Sequence, residues 1–218
     1  MGFTRSPQVI SSQTSTHGNL KKVVARHLTS EYQNSIPKHV HDAFKIAENF
    51  VCKRKASIIL DSGCGTGEST YRLARQYPDH TVIGIDKSAH RLKRYAHDMQ
   101  PNQLLLHTDC IGFWQLALVN RWRLQQHYLL YPNPWPKPGH LQRRWHAHPV
   151  FPLMLKLGGR LVMRTNWDIY AQEFSSTIEI ILQRTTQITQ LKPDNAITLH
   201  EEKYLQSGHP LYDISMQL

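Results

Sequence analysis

Apolar and polar positions along the chain follow two alternating rhythms. Short apolar runs at 57–60, 81–85, 103–107, 128–131 and 160–164 have the length and composition of strands. Between them, stretches at 69–76, 89–99, 112–120 and 142–156 read as helices long enough to cross back over a sheet. Strand, crossover helix, strand is the pattern of parallel strands packed beneath helices. Upstream, Val40, Ala43, Phe44, Ala47 and Phe50 approximate the i, i+3, i+4, i+7 stripe of a helix within residues 19–50, and Pro37 falls near its first turn, where a missing N–H costs least. Downstream, the Leu157-Gly158-Gly159 turn ends a helix before a strand, and a further helix is predicted at 170–184. The last residues alternate, with Tyr212, Ile214, Met216 and Leu218 on one face and Asp213, Ser215 and Gln217 on the other. That alternation suits an antiparallel edge strand closing a mostly parallel sheet.

Bulk properties narrow the setting. With 218 residues the chain can bury a substantial core, and its expected organisation is a flexible polar N-terminus over 1–18 followed by one domain over 19–218. The first 17 residues hold no apolar core of a secretory signal, and no apolar run approaches the ~18 residues of a membrane span, so a cytoplasmic protein without membrane contact is expected. Cys52, Cys64 and Cys110 are odd in number and lack paired short spacings, and His39/His41 and His146/His148 come without further ligands. Neither a disulfide framework nor a metal site is predicted. A formal net charge of +10 favours a polyanion such as nucleic acid through counterion release.

The chemistry-bearing features sit at strand ends. Ile58-Ile59-Leu60 runs into Asp61-x-Gly63-x-Gly65-x-Gly67, where a buried strand turns into a helix and glycine allows positive φ and close approach of a ligand. Position 68 is Glu, so the dinucleotide fingerprint is broken, and no Lys-Ser or Lys-Thr pair follows to make a phosphate-cradling P-loop. Asp86 closes the second strand, at the distance where an acid meets ribose hydroxyls, and Asp109 follows the third. Three acids without a basic cluster suit a cationic sulfonium nucleoside better than a pyrophosphate. The order of glycine turn, acid and acid resembles the first three motifs of the S-adenosylmethionine-dependent methyltransferases.

The fourth strand leads into Tyr131-Pro132-Asn133-Pro134-Trp135-Pro136-Lys137, a loop stiffened by three prolines, and Arg143 and Arg144 follow. An aromatic ring among cations suits a planar base flanked by phosphates. Asp61-x-Gly63-x-Gly65, Gly84-Ile85-Asp86, this loop with Arg143-Arg144, and Thr165-Asn166-Trp167 occur in the order of the bacterial tRNA guanine-N7 methyltransferase family, which the chain resembles over roughly residues 55–218. The resemblance implies a doubly wound, mostly parallel seven-stranded sheet and S-adenosylmethionine-dependent methylation of guanine N7 in tRNA, by a monomer or weak homodimer. It implies cofactor contacts at Asp61, Asp86 and Asp109, a catalytic position at Asn133 and substrate positions at Lys137 and Asn166, to which the residues themselves add Gly63, Gly65 and Gly67 on the cofactor side and Trp135, Arg143 and Arg144 on the substrate side.

The departures are specific. The family pattern has Asp at the positions of Asn133 and Asn166, and near the C-terminus Glu202-Lys203-Tyr204-Leu205-Gln206-Ser207-Gly208 keeps the family spacing without its Thr and Glu. Guanine N7 already presents a lone pair, so transfer needs positioning rather than a base. A lost carboxylate removes stabilisation of the cationic product, on the order of 2–3 kcal/mol. Two other readings share these residues. Asn-Pro-aromatic also resembles the loop of exocyclic-amine methyltransferases, and two missing acids fit a paralogue that binds cofactor and RNA without turnover.

Overall fold

A computed structural model describes residues 5–30, 32–194 and 196–218. In chain order the elements are α1 (Leu20–Leu28), α2 (Lys38–Arg54), β1 (Ile58–Ser62), α3 (Glu68–Gln76), β2 (Thr81–Asp86), α4 (Ala89–Leu92), β3 (Gln103–His107), α5 (Cys110–Val119), β4 (Leu124–Leu130), 3-10 helices at Pro138–Arg143 and Trp145–Ala147, α6 (Phe151–Leu155), β5 (Arg160–Thr165), α7 (Asp168–Leu182), β6 (Ile188–Gln190), α8 (Leu199–Gln206) and β7 (Tyr212–Gln217). The seven strands form one sheet in the order β3-β2-β1-β4-β5-β7-β6. β1 pairs parallel with β2 and β4, β2 pairs parallel with β3, and β6 pairs antiparallel with β7. This is a doubly wound, mostly parallel α/β sheet. Its antiparallel end holds β7 as expected, with the three-residue β6 outside it.

By its internal contacts the chain divides into two compact units. One comprises residues 33–130, 153–162 and 217–218, and its centre is the β1-β2-β4 ladder. β1 and β2 are buried at every position, which is why their sequences read as continuous apolar runs and not as alternation. Phe44 of α2 meets Phe113 of α5 and Trp122 in an aromatic cluster beside this ladder. The other unit comprises residues 1–32, 131–152 and 163–216. There α1 buries Leu20 and Val24 with Leu141 and Ala147, while Val23, Ile180 and Ile181 pack alongside.

Two predicted helices take other forms. The stretch 89–99 is helical only over α4, and beyond it Arg94 and Tyr95 donate to carbonyls three residues back. It has little apolar surface to dock, and Met99 stays about half exposed. The stretch 142–156 breaks into two 3-10 helices and α6, because Pro149 and Pro152 supply no amide hydrogen and His148, before Pro149, is held extended at ψ 141°. The sequence expected as a loose polar start is bonded where it is described: the Ser6 amide donates to Ser207 Oγ at 2.9 Å and Ser11 Oγ donates to the Pro136 carbonyl.

Gly84, in the middle of β2, is required by packing. A methyl group built there would overlap Thr70 Oγ1 and lie 2.7 Å from Leu105 Cδ2. Gly84→Ala is therefore expected to destabilise the protein by about 1–3 kcal/mol, read as a lower denaturant midpoint at unchanged m-value.

Candidate functional site

The glycine turn grows out of the β1-β2 pair. Where the ladder ends at Ser62 and Ile85, the amides of Gly63 and Cys64 both donate to the Ile85 carbonyl, at 2.8 and 3.0 Å. Gly63, Gly65 and Gly67 all have positive φ (79°, 63° and 84°), and Gly67 caps α3. Methyl groups built on Gly63 or Gly65 would meet nothing within 4 Å, so these two are fixed by backbone conformation and face open space. Gly67 is also crowded by Leu105 and Tyr95.

Two buried carboxylates hold this turn. Asp86 Oδ2 accepts the Gly65 amide at 2.9 Å, while Oδ1 accepts the Ser88 amide at 2.8 Å and faces Arg91 Nη2 at 3.1 Å. Asp61 Oδ2 accepts the hydroxyls of Ser69 and Thr70 at 2.6 and 2.7 Å, which ties the strand end to the first turn of α3. Burial raises the Asp61 carboxyl to about 6, with the Ser69 and Thr70 hydroxyls opposing and the charge of Asp86 adding. Asp109 caps α5 by accepting the Gly112 amide at 2.9 Å. The three acids converge: burial, then Asp86, Asp109 and Asp61, all push up the Cys110 thiol. Cys64 is likewise raised, by burial and then Asp61 and Asp86, so neither thiol is a nucleophile at neutral pH.

The second set of predicted residues lies in the other unit. Asn133 is exposed, and its Oδ1 accepts the Trp135 amide at 3.3 Å. Trp135 and Tyr131 both have left-handed backbone (φ 46° and 51°), a strained state for bulky residues. Arg143 is exposed and lies 4.9 Å over the Trp135 ring, with His140 edge-on at 5.5 Å. Lys137 is exposed at the cap of the first 3-10 helix. Asn166 Nδ2 donates to His209 Nδ1 at 3.1 Å, and His209 Nε2 donates to the Ser6 carbonyl at 2.9 Å. With Nε2 as the donor to that carbonyl, Nδ1 is the nitrogen that accepts from the Asn166 amide.

Arg144 corrects the expectation of a phosphate contact, because it has no exposed surface. Its Nε and Nη2 each donate to the Trp135 carbonyl at 3.2 Å, Nη2 donates also to Gln13 Oε1 at 3.0 Å, and Nη1 pairs with Glu173 Oε2 at 2.6 Å. The guanidinium stacks on Trp167 at 4.9 Å. It is thus spent on the loop backbone. Glu173, which the sequence pattern did not single out, is the hub of this network. It also accepts from His146 Nε2 at 2.9 Å, Gln13 Nε2 at 2.7 Å and the His17 amide at 2.8 Å. An acid set between Ala171 and Phe174 on the buried side of α7 was the available signal. Ser69, Thr70 and Arg91, which steady the turn, are ordinary helix residues in the sequence and gave none.

Fold and turn define a class: doubly wound α/β proteins that bind a nucleoside at a glycine-rich strand end. The family described as "Putative methyltransferase" matches residues 55–214, and the chain belongs to it. A tRNA (guanine-N(7)-)-methyltransferase of Buchnera aphidicola is 28% identical over 181 residues, covering 78% of this chain and 74% of that one. One of Nitrosococcus oceani is 29% identical, covering 75% and 72%, and one of Pseudoalteromonas atlantica is 25% identical, covering 95% and 91%. Among solved structures, an antibiotic-related methyltransferase superposes with TM-score 0.58 at 11% identity, covering 87% of this chain and 98% of that one. A 16S rRNA methyltransferase superposes with TM-score 0.54 at 15% identity, covering 86% and 96%. At such identities the likeness is one of fold.

Burial alone would raise Glu173, but the bonds from His146 and Arg144 and the His17 amide outweigh it and hold the carboxyl at about 2, below its ordinary 4.5. The stability this depression supplies is present above pH ~4.5 and is lost as pH falls toward 2. Glu173→Gln strands a buried guanidinium and is expected to cost about 3–5 kcal/mol at pH 7, measured by urea unfolding, with a smaller difference from wild type at pH 3.

Proposed function

We propose that this methyltransferase transfers a methyl group to N7 of guanine in tRNA, with S-adenosylmethionine as donor and a cytoplasmic tRNA as acceptor. The observation that carries the reading is the glycine turn of a methyltransferase-family chain, open above Gly63 and Gly65 and tied at Gly65 to the Asp86 carboxylate. The residues present fit the cofactor: glycines without side chains in the way, and three converging acids for ribose hydroxyls, an amino group and a cationic centre. S-adenosylmethionine supplies a methyl group on a positively charged sulfur. Asp61, Asp86 and Asp109, with Gly63, Gly65 and Gly67, hold and orient it.

On the acceptor side the need is for positioning. No Asp or Glu occurs between Asp109 and Asp168, so the loop segment itself supplies no carboxylate base, and the nearby Glu173 is engaged by Arg144 and His146. Guanine N7 requires none, since its lone pair attacks directly and no proton leaves. An exocyclic amine must shed a proton, which makes it the poorer match. The Trp135 face with Arg143 above it offers a stacking platform, Lys137 a phosphate contact, and the amides of Asn133 and Asn166 neutral hydrogen-bonding groups for the base edge. The names of the relatives support tRNA as the substrate class.

Purified protein, S-adenosylmethionine and tRNA lacking 7-methylguanosine should yield that nucleoside on digestion and mass spectrometry. A methylated exocyclic amine would move the assignment to the other chemistry, and no product above background would leave a binding paralogue. In the same system Lys137→Ala should weaken tRNA binding and lower the salt slope by about 0.7–0.9, with affinity for S-adenosylhomocysteine unchanged by calorimetry.

A further inference from the structure

Helix α1 precedes the segment that defines the family, and it carries three cations and no acid. Leu20, Val24 and His27 are its buried side, and Lys21, Lys22 and Arg26 are exposed. Lys22 and Arg26 stand four residues apart, a like-charge pair that works against the isolated helix. On α2 a lysine so placed has an acid to meet, Lys38 to Asp42 at 2.7 Å. Lys21, Lys22 and Arg26 form no ion pair among the described residues, and no Asp or Glu occurs before position 31. Such a face is suited to a polyanion as its counter-charge.

The helix is also placed to extend the acceptor surface. Leu20 and Val24 pack on Leu141 and Ala147, and Arg26 Nη2 donates to Gln142 Oε1 at 2.9 Å. α1 is thereby fixed against the 3-10 segment that bears Arg143 and follows Lys137. Asn19, Lys22, Val23, Ala25, Arg26 and Thr29 line a groove of about 620 Å³ on it, edged by the cations and by polar groups able to donate to phosphate oxygens. We propose that the exposed face of α1, through Lys21, Lys22 and Arg26, binds the sugar-phosphate backbone of the RNA substrate at a site separate from the one that receives the base. This rests on RNA being the substrate.

The test compares wild type with Lys21→Gln/Lys22→Gln/Arg26→Gln, using unmodified tRNA transcript and fluorescence anisotropy between about 50 and 300 mM KCl. Three phosphate contacts at about 0.7–0.9 each predict a salt slope smaller by about 2–3, and binding weaker on the order of a hundredfold near 100 mM. KM for tRNA should rise by a similar factor with kcat within about twofold, because nothing at the transferring atoms has changed. An unchanged slope and Kd in the triple variant would overturn the proposal, as would loss of binding to phosphatidylserine-containing vesicles with tRNA binding intact. Lys21→Gln/Lys22→Gln keeps the Arg26 to Gln142 bond and should still lose about 1.5–2 from the slope, so a folding defect in the triple variant does not shelter the idea. Wild type that neither binds tRNA nor methylates it would instead remove the RNA reading, and this proposal with it.

Discussion

The bond from the Gly65 amide to the Asp86 carboxylate is the constraint on which the nucleoside end of the protein depends. Three glycines at positive φ within five residues make a segment with many alternative conformations, and fixing it costs more backbone entropy than fixing any other residue type. Asp86 holds the segment from the neighbouring strand end, and the Ile85 carbonyl anchors its first two amides. Asp61 locks the helix that follows through Ser69 and Thr70. Each of these acceptors is buried, so each bond forms in surroundings where losing it strands a polar group without water. The turn is thereby arranged before a ligand arrives, which lowers the ordering cost of binding.

A different device steadies the proline-tryptophan loop. Trp135 sits in a backbone region that a bulky residue avoids, and two guanidinium N–H groups of Arg144 grip its carbonyl. Arg144 can be buried only because Glu173 neutralises it, and Glu173 has its remaining acceptor capacity filled by His146, Gln13 and the His17 amide. Burial holds His146 below the usual imidazole range, so at neutral pH it is an uncharged donor to that carboxylate. The charge balance is therefore one guanidinium to one carboxylate. Strain at the loop is set against a fully bonded ion pair, a common arrangement where a side chain must be presented in one orientation.

The strands were legible because burial on both faces leaves continuous apolar runs, and 103–107 matches β3 to the residue. β4 extends upstream of its predicted start, since Leu124 to His127 mix buried and exposed positions. Helix lengths were least legible where prolines at 149 and 152 counted for more than apolar spacing. Among site residues, the glycines and the three acids could be read because their chemistry is bound to their place at strand ends. Arg144 could not: a sequence shows a cation beside an aromatic loop but not that the guanidinium turns inward to a glutamate 29 positions away. Glu173 was hidden for the same reason, as its partners come from residues 13, 17, 144 and 146.

Isothermal titration of S-adenosylhomocysteine into wild type and Asp86→Asn tests the central claim most directly. The expected result is a saturable one-to-one isotherm for wild type, with at least about tenfold weaker binding for the variant, equivalent to ~1.4 kcal/mol, and unfolding midpoints for both well above the titration temperature. Wild type that gives no heat of binding, or Asp86→Asn that binds as tightly as wild type, would contradict it.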